Sequence, residues 1–459
     1  MVLDINLFRK EKGGNPELIK ESQRRRFKPV EIVDEIIALD EEWRKLQFQV
    51  DEVKKAQRNL SKEIGALYKA KKTEEADAMK PKMADLKKAE EDTENACKVI
   101  KEQLDKKLNL IGNLVHESVP VSKDETHNAV VTEWGEFKFN EAARRHHHEL
   151  LWMIDGYEPD RGVKVAGHRA YFLKGVGVRL NQALIAYGTD FLMKKGYTAL
   201  ATPFFMNKEV MARTAQLEEF DEALYTVIGE KGDEKYLIAT SEQPISAFHA
   251  EEWLEPKDLP IRYAGTSSCF RKEAGAHGKD TWGIFRVHQF EKIEQFCLTE
   301  PEKSWEEHEN MVKTAEAFYQ SLELPYHVVA IVSGELNNAA AKKLDLEAWF
   351  PAFGEFRELV SASNCTDYQS RSLEVRCGSR KQGGEKKYVH MLNATLCATT
   401  RTICCILENY QTPEGVAVPK VLQPYLGGLE FIPFVKEAPK KHEEAVKGKE
   451  KAEKKAAGQ

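Results

Sequence analysis

The chain has 459 residues, of which 42% are hydrophobic and 31% charged, with a formal net charge of −6. That length allows more than one folded core, no run approaches the roughly twenty apolar residues of a membrane-crossing helix, and a protein basic over its whole surface is excluded, although local basic patches can still bind phosphate. The start, Met1-Val2-Leu3-Asp4-Ile5-Asn6, lacks the basic region and apolar segment of a secretory signal, so a cytoplasmic location is expected. The eight cysteines, at 97, 269, 297, 365, 377, 397, 404 and 405, lack Cys-x-x-Cys spacing and read as reduced packing thiols.

In chain order, the first element is a heptad seam: Ile32, Ile36, Leu39, Trp43, Leu46, Val50, Val53, Gln57, Leu60, Ile64 and Leu67 alternate steps of four and three, with Gln57 the one polar member. A Lys/Glu/Ala break ends near Pro81, and a weaker seam follows through Met83, Leu86, Cys97, Ile100, Leu104, Ile111 and Val115. Two such helices of roughly forty residues, joined by a short connection, predict an antiparallel coiled-coil arm on the order of 60 Å long. Its exposed faces carry Arg44, Lys45, Lys54, Lys55, Arg58, Lys62, Lys69, Lys71 and Lys72, which suit either a dimerisation coiled coil with solvated lysines or a projecting rod that tracks the phosphates of duplex RNA. The arm and its connection are assigned to residues 1–120.

Beyond Ser118-Val119-Pro120 the composition turns to mixed helices and strands with Gly and Pro punctuation, assigned to one domain over 121–435. His146-His147-His148 cannot converge on one ion from a helix or strand and reads as solvated or capping. Arg179 to Lys195 predicts a helix leading to a strand that stops at Pro203, and Tyr236–Ala239 and Tyr326–Val332 read as strands. There is neither a Gly-x-Gly-x-x-Gly nor a Walker loop, so any nucleotide chemistry must use side chains on an antiparallel sheet. Residues 436–459 are Lys, Glu and Ala with almost no large apolar residue, a composition that stays unfolded on its own.

The stretch from Cys269 to Glu294 is the most informative. Alternating runs flank a polar, glycine-containing loop with Lys279 near its tip, predicting a long-tipped hairpin. Strand alternation places Arg286, His288, Phe290 and Glu294 on one face and Phe285, Val287 and Ile293 on the other, which reads as core. Phe290 and Glu294 then lie about 13 Å apart, a span that suits an adenine ring at one end and the ammonium of an aminoacyl-adenylate at the other. Thr240 and Glu242 share a face by the same alternation. Farther on, Ile403, Ile406, Leu407 and Tyr410 recur at helical spacing behind Thr399 and Thr400, so Arg401 falls in a first helical turn, where free amides favour an anion.

Arg271-Lys272-Glu273, the loop and Arg286 resemble motif 2 of class II aminoacyl-tRNA synthetases, and the whole string resembles that of eukaryotic-type cytosolic seryl-tRNA synthetases. The resemblance covers nearly the whole chain. Ala239-Thr240-Ser241-Glu242-Gln243-Pro244 is similar to the family's serine-binding loop, Phe356-Arg357-Glu358-Leu359-Val360-Ser361 to its metal-binding strand, Met391 to Ile403 to motif 3, and Pro203 to the proline of motif 1. It implies an α+β fold, an antiparallel β-sheet flanked by helices as the class II catalytic core, carrying an N-terminal antiparallel helical-hairpin arm that grips the long variable arm of serine tRNA. The implied activity is ATP-dependent attachment of L-serine to serine tRNA through a seryl-adenylate, with serylation of selenocysteine tRNA left open, by a homodimer built through motif 1.

The same resemblance implies catalytic roles for Arg271, Glu273 and Arg401. It implies ATP contacts at Arg271, Lys272, Glu273, Arg286, Val287, His288, Gln289, Phe290, Glu358, Leu359, Val360, Ser361 and Arg401, and serine contacts at Thr240, Ser241, Glu242, Arg271, Glu294, Asn393 and Thr395. Arg271 is expected on the α-phosphate and serine carboxylate, where a guanidinium fork binds bidentately. Glu358 and Ser361 are expected on Mg²⁺ and the phosphates, Arg401 on the γ-phosphate and over the adenine opposite Phe290, and Glu294 on the serine ammonium. Two rivals stand beside this reading. A non-catalytic RNA- or partner-binding descendant is disfavoured by the intact Arg271, Glu273, Glu294, Glu358 and Arg401, and a ligase that loads a carrier protein is disfavoured by the long basic arm.

Overall fold

The computed structural model describes residues 3–137, 145–214, 223–230, 232–273, 281–378 and 387–439. Contacts divide the chain into two units, residues 2–114 and the chain from Val115 onward. The expected loop-tip residue Lys279 and the tail from 440 lie outside the described residues.

In the first unit, α1 (Glu31–Lys69) and α2 (Lys80–Leu108) pack against each other, linked through a short helix, Thr73–Ala78. The 39 residues of α1 span about 58 Å at the helical rise. α2 has 29 residues, fewer than expected, because it stops at Leu108, and Ile111 and Val115 of the predicted seam lie beyond its end. The seam buries Ile36, Val50, Leu60, Cys97 and Leu104. Gln57, its polar member, donates through Nε2 to the Leu86 carbonyl at 3.0 Å and to Glu90 Oε2 at 2.7 Å, so it pins the register of the two helices. Arg44, Lys54, Lys55 and Lys72 of the basic faces sit in exposed ion pairs, which contribute little to stability.

The second unit is built on eight strands: β1 (Ala129–Trp134), β2 (Thr198–Ala201), β3 (Ile261–Phe270), β4 (Gln289–Thr299), β5 (Tyr326–Ala330), β6 (Lys342–Phe350), β7 (Glu355–Asn364) and β8 (His390–Ala398). Their spatial order is β1-β5-β6-β7-β8-β4-β3-β2. Every neighbouring pair is antiparallel except β2 and β3, which are parallel. Around them lie α3 (His147–Met153), α4 (Val176–Lys194), α5 (Ser304–Ser321) and α6 (Thr399–Asn409). Leu184 of α4, Phe318 of α5 and Leu407 of α6 share one core with Ile293 and Val360 of the sheet. Residues 115–120, expected with the arm, pack on this unit: Val119 is buried with Val329, Ile331 and Leu336.

Two register slips aim polar side chains to the face opposite the main helical core. Ile293 of β4 faces Cys397 while Glu294 faces Thr395, leaving Leu396 as the extra residue of β8. Leu346 of β6 faces Val360 while Glu347 faces Glu358, leaving Leu359 as the extra residue of β7. A bulge resets the alternation, so Glu358 and Ser361, opposite Glu347 and Asp345, share a face although they are three positions apart. The hairpin also departs from alternation. β4 begins at Gln289 rather than Phe285, and residues 281–288 form turns and bends.

Candidate active site

One cleft collects Arg271, Glu273, Arg286 and Phe290 from the hairpin, Glu358 and Leu359 from β7, and Thr395 and Arg401 from the end of β8 and the start of α6. The Arg271 guanidinium stands 5.4 Å from the centre of the Phe290 ring, and its Nε donates to the Ala239 carbonyl at 3.3 Å. Arg401, in the first turn of α6 as expected, stands 4.9 Å from the centre of the Phe285 ring. Its Nη1 donates to the Glu358 carbonyl at 3.0 Å and pairs with Glu358 Oε2 at 3.3 Å. Phe285 is buried in the core, as expected, and is also a wall of the cleft, which strand alternation did not indicate because a turn carries it. Arg286 lies 3.7 Å from Glu273 Oε2.

Deeper in the unit, Glu294 is 2% exposed. Its Oε2 accepts hydrogen bonds from Thr240 Oγ1 at 2.6 Å, Ser241 Oγ at 2.7 Å and the Glu242 amide at 2.9 Å. Its Oε1 accepts from Lys292 Nζ at 2.7 Å, and the same ammonium reaches Thr240 Oγ1 at 2.7 Å. Burial pushes the Glu294 carboxyl pKa up, but Lys292 and the two hydroxyls outweigh it and hold the group below the usual carboxylate range. The ammonium facing Glu294 is thus the protein's own, and one lone pair on Oε1 remains for a ligand. Lys292 was missed by the sequence reading, although alternation along β4 places residues 290, 292 and 294 on one face.

Thr240 and Glu242 reach the pocket without strand alternation, because the strand before them ends at Leu237 and a short helix begins at Glu242. Gly265, opposite Glu294 on β3, makes this approach possible: a Cβ there would lie 2.4 Å from Ile245 Cδ1 and 2.8 Å from Ser241 Oγ. Glu242 accepts from Gln369 Nε2 at 2.8 Å. Thr395 faces Glu294 across the β4–β8 pair, and Asn393, two residues along the same face, donates to Cys365 Sγ at 3.6 Å.

A third cluster surrounds Glu358. Against the desolvation of the cleft, Arg401, Lys343 and Arg271 hold the Glu358 carboxyl below the usual range. Asp345, also missed by the sequence reading, is pushed up to about 7 by burial, with Lys343 opposing and the Glu358 charge adding to the rise. Among the described residues, no three His, Cys, Asp or Glu side chains converge on one point as a metal nest. Glu358 lines the cleft and Ser361 shares its sheet face, and such a carboxylate and hydroxyl fit Mg²⁺, which is held by one or two carboxylates together with substrate phosphates.

Not every expected site residue reaches this cleft. His288 and Gln289 line a separate cavity of about 470 Å³ with Tyr171 and Asn181, and His288 Nδ1 lies 3.0 Å from the Arg271 carbonyl oxygen. The Lys272 amide donates to the Ala223 carbonyl at 3.0 Å. Val287 lines the cleft while being almost fully buried, and Val360 is buried in the helix-covered core. Pro203 follows the end of β2, the last strand of the sheet.

An antiparallel sheet whose open face joins two inward-pointing arginines to a buried carboxylate pocket is the architecture of a class II aminoacyl-tRNA synthetase. Residues 225–410 match the tRNA synthetase class II core domain (G, H, P, S and T), and residues 2–115 match the seryl-tRNA synthetase N-terminal domain. The chain is 58% identical to the cytoplasmic serine–tRNA ligase of Dictyostelium discoideum, over 96% of this chain and 97% of that one, and 58% identical to that of Saccharomyces cerevisiae over the same shares. The crystal structure of the cytoplasmic serine–tRNA ligase of Naegleria fowleri in complex with AMP superposes with a TM-score of 0.84 at 52% identity, covering 95% of this chain and 100% of that one. The chain belongs to the seryl-tRNA synthetase family.

Proposed function

We infer that this protein attaches L-serine to serine tRNA in two steps, forming seryl-adenylate from serine and ATP and then passing the seryl group to the terminal ribose. The carrying observation is the convergence of Arg271 and Arg401 with the Glu294–Thr240–Ser241 pocket on one sheet face. In the first step the serine carboxylate attacks the α-phosphorus in line and pyrophosphate leaves, a reaction served by position and positive charge more than by covalent chemistry. Arg271, at the hinge between the serine pocket and the cleft, holds the α-phosphate and the serine carboxylate. Phe290 is the platform for adenine, and Arg401, seated on Phe285, takes the terminal phosphates. Glu294 offers its free lone pair to a polar group of serine, with Thr395 and Asn393 beside it. Such a site rejects alanine because its buried polar atoms would be left unpaired.

Glu358 and Ser361 would hold Mg²⁺, which supplies charge neutralisation of the phosphates when bound. Residues 2–114 form the tRNA-gripping arm. A second copy of the chain covers β2, an edge strand with exposed Thr198, Ala199 and Ala201 that runs through Pro203 into exposed Phe204 and Phe205. The site of action is the cytoplasm, as for the named relatives. Serine-dependent ATP–pyrophosphate exchange tests the reading: exchange that is absent with serine, or faster with another amino acid, overturns it. Removing Ile32 to Leu110 is expected to spare exchange and abolish tRNA charging.

A further inference from the structure

The histidine run 146–148 has no part in the chemistry above. His146 caps α3 in a capping box with Glu149, but His147, the first residue of that helix, is fully buried. Its ring is stacked on Phe353, with centroids 5.8 Å apart, and lies 6.2 Å from the ring of Phe285. Both ring nitrogens face acceptors: Nδ1 is 3.0 Å from Glu408 Oε1, and Nε2 is 3.1 Å from the Trp282 carbonyl oxygen. A neutral imidazole carries one N–H and serves one acceptor, whereas the imidazolium serves both. Glu408 is held in turn by the His147 amide at 3.1 Å and, through Oε2, by the Ala352 amide at 3.1 Å.

These two acceptors belong to opposite walls of the nucleotide cleft. Glu408 lies two turns beyond Arg401 on α6, and Trp282 precedes Phe285 and Arg286 in the turn segment. The two walls meet again where Arg401 stands on Phe285. Gly283, at φ 58°, packs so tightly on this histidine that a Cβ would come 2.8 Å from His148 Cβ and 3.0 Å from His147 Cδ2. We propose that His147, as an imidazolium, is a positioning residue that ties α6 to the segment carrying Phe285 and Arg286 and so holds the cleft in the shape that binds ATP.

The groups facing the ring are Glu408 and Cys404 of α6, His146 and His148 of its own segment, the rings of Phe285 and Phe353, and the Trp282 carbonyl. Burial alone pushes the imidazole pKa down; Cys404 and Glu408 outweigh it and hold it well above 6.5. The proton is therefore present at neutral pH and lost as pH rises through the raised value, and that loss releases one of the two walls.

The inference rests on the seryl-adenylate reading, and the test separates the two. In pyrophosphate exchange by the full chain, the KM for ATP is expected to stay level through neutrality and to rise only once pH passes the raised value, while the KM for serine does not follow. Glu408→Gln is expected to move that rise to lower pH. His147→Gln is expected to increase the KM for ATP about tenfold at neutral pH through misplaced cleft walls and to remove the alkaline rise. A rise that Glu408→Gln leaves in place, or a His147→Gln protein that loses melting temperature with an unchanged KM for ATP, overturns the proposal. Should the variants not fold, or should the wild-type chain show no exchange, ¹⁵N shifts of the histidine rings in the wild-type protein decide: two protonated nitrogens on His147 at about pH 8 support it, and one overturns it.

Discussion

Replacing Lys292 by methionine keeps the length and apolar stem of the side chain and removes the ammonium that Glu294 faces. The pair is nearly sealed from water, Lys292 being 5% exposed, and its contact is 2.7 Å. Breaking a buried pair from one side costs about 3–5 kcal/mol. Three donors remain on Oε2, and hydrogen bonds to a charged group each contribute about 1.5–3 kcal/mol, so a loss near the lower limit, about 3 kcal/mol, is expected in urea unfolding at neutral pH. The pH dependence has a definite sign. The wild-type Glu294 carboxyl sits below its ordinary 4.5, so its stabilisation is present above that value and lost as pH falls through the lower, folded one. Without Lys292, burial dominates and the carboxyl rises. The gap in stability between wild type and variant therefore closes in acid, and the variant's KM for serine climbs as pH falls through a range where the wild-type value is level. Exchange kinetics with serine and ATP varied separately give the readout, with the KM for ATP expected to hold. A serine KM profile that superimposes on the wild type while stability drops would refute the reasoning and leave Lys292 a structural residue only.

Phe290→Ala is expected to weaken ATP binding by about 1–3 kcal/mol, the worth of a base stacked on an aromatic ring, and an unchanged KM for ATP at saturating serine would remove the ring as adenine platform. Arg401→Lys keeps the charge but loses the planar fork, and exchange turnover is expected to fall about a hundredfold; a fall confined to the KM for serine would contradict the phosphate role. His308, buried on α5 with Nε2 3.0 Å from the Ala362 carbonyl oxygen, has its pKa lowered to about 4 by burial. Stability is therefore full above pH 6.5 and declines as pH falls toward 4, by about 3 kcal/mol, and His308→Gln is expected to flatten that part of the stability–pH curve measured by denaturant unfolding.

Periodicity made the arm legible, because a coiled-coil seam is a local pattern: α1 begins and ends within two residues of the predicted seam. The weaker second seam misled as to length, since Ile111 and Val115 continue its spacing past Leu108, where the helix ends. Phe290 and Glu294 could be placed together because both lie on the regular part of β4. Phe285 could not, because it lies in a turn before the strand begins.

What the sequence by itself determined was which side chains are available and the repeats that organise them: the heptads of the arm, Arg401 in a first helical turn, and the ring and carboxylate sharing one strand face. Only the tertiary structure decided which of them meet. The bulge at Leu359 brings Ser361 onto the face of Glu358, Gly265 admits Ser241 to Glu294, Lys292 supplies the ammonium expected of the ligand, and a turn at Gly283 delivers Phe285 to Arg401 and Trp282 to His147. For all but Lys292, which strand alternation already places beside Glu294, the physical reason is the same. Alternation and helical period hold only while the backbone repeats, and at a bulge, a turn or a close backbone approach the direction of a side chain is set by what packs against it.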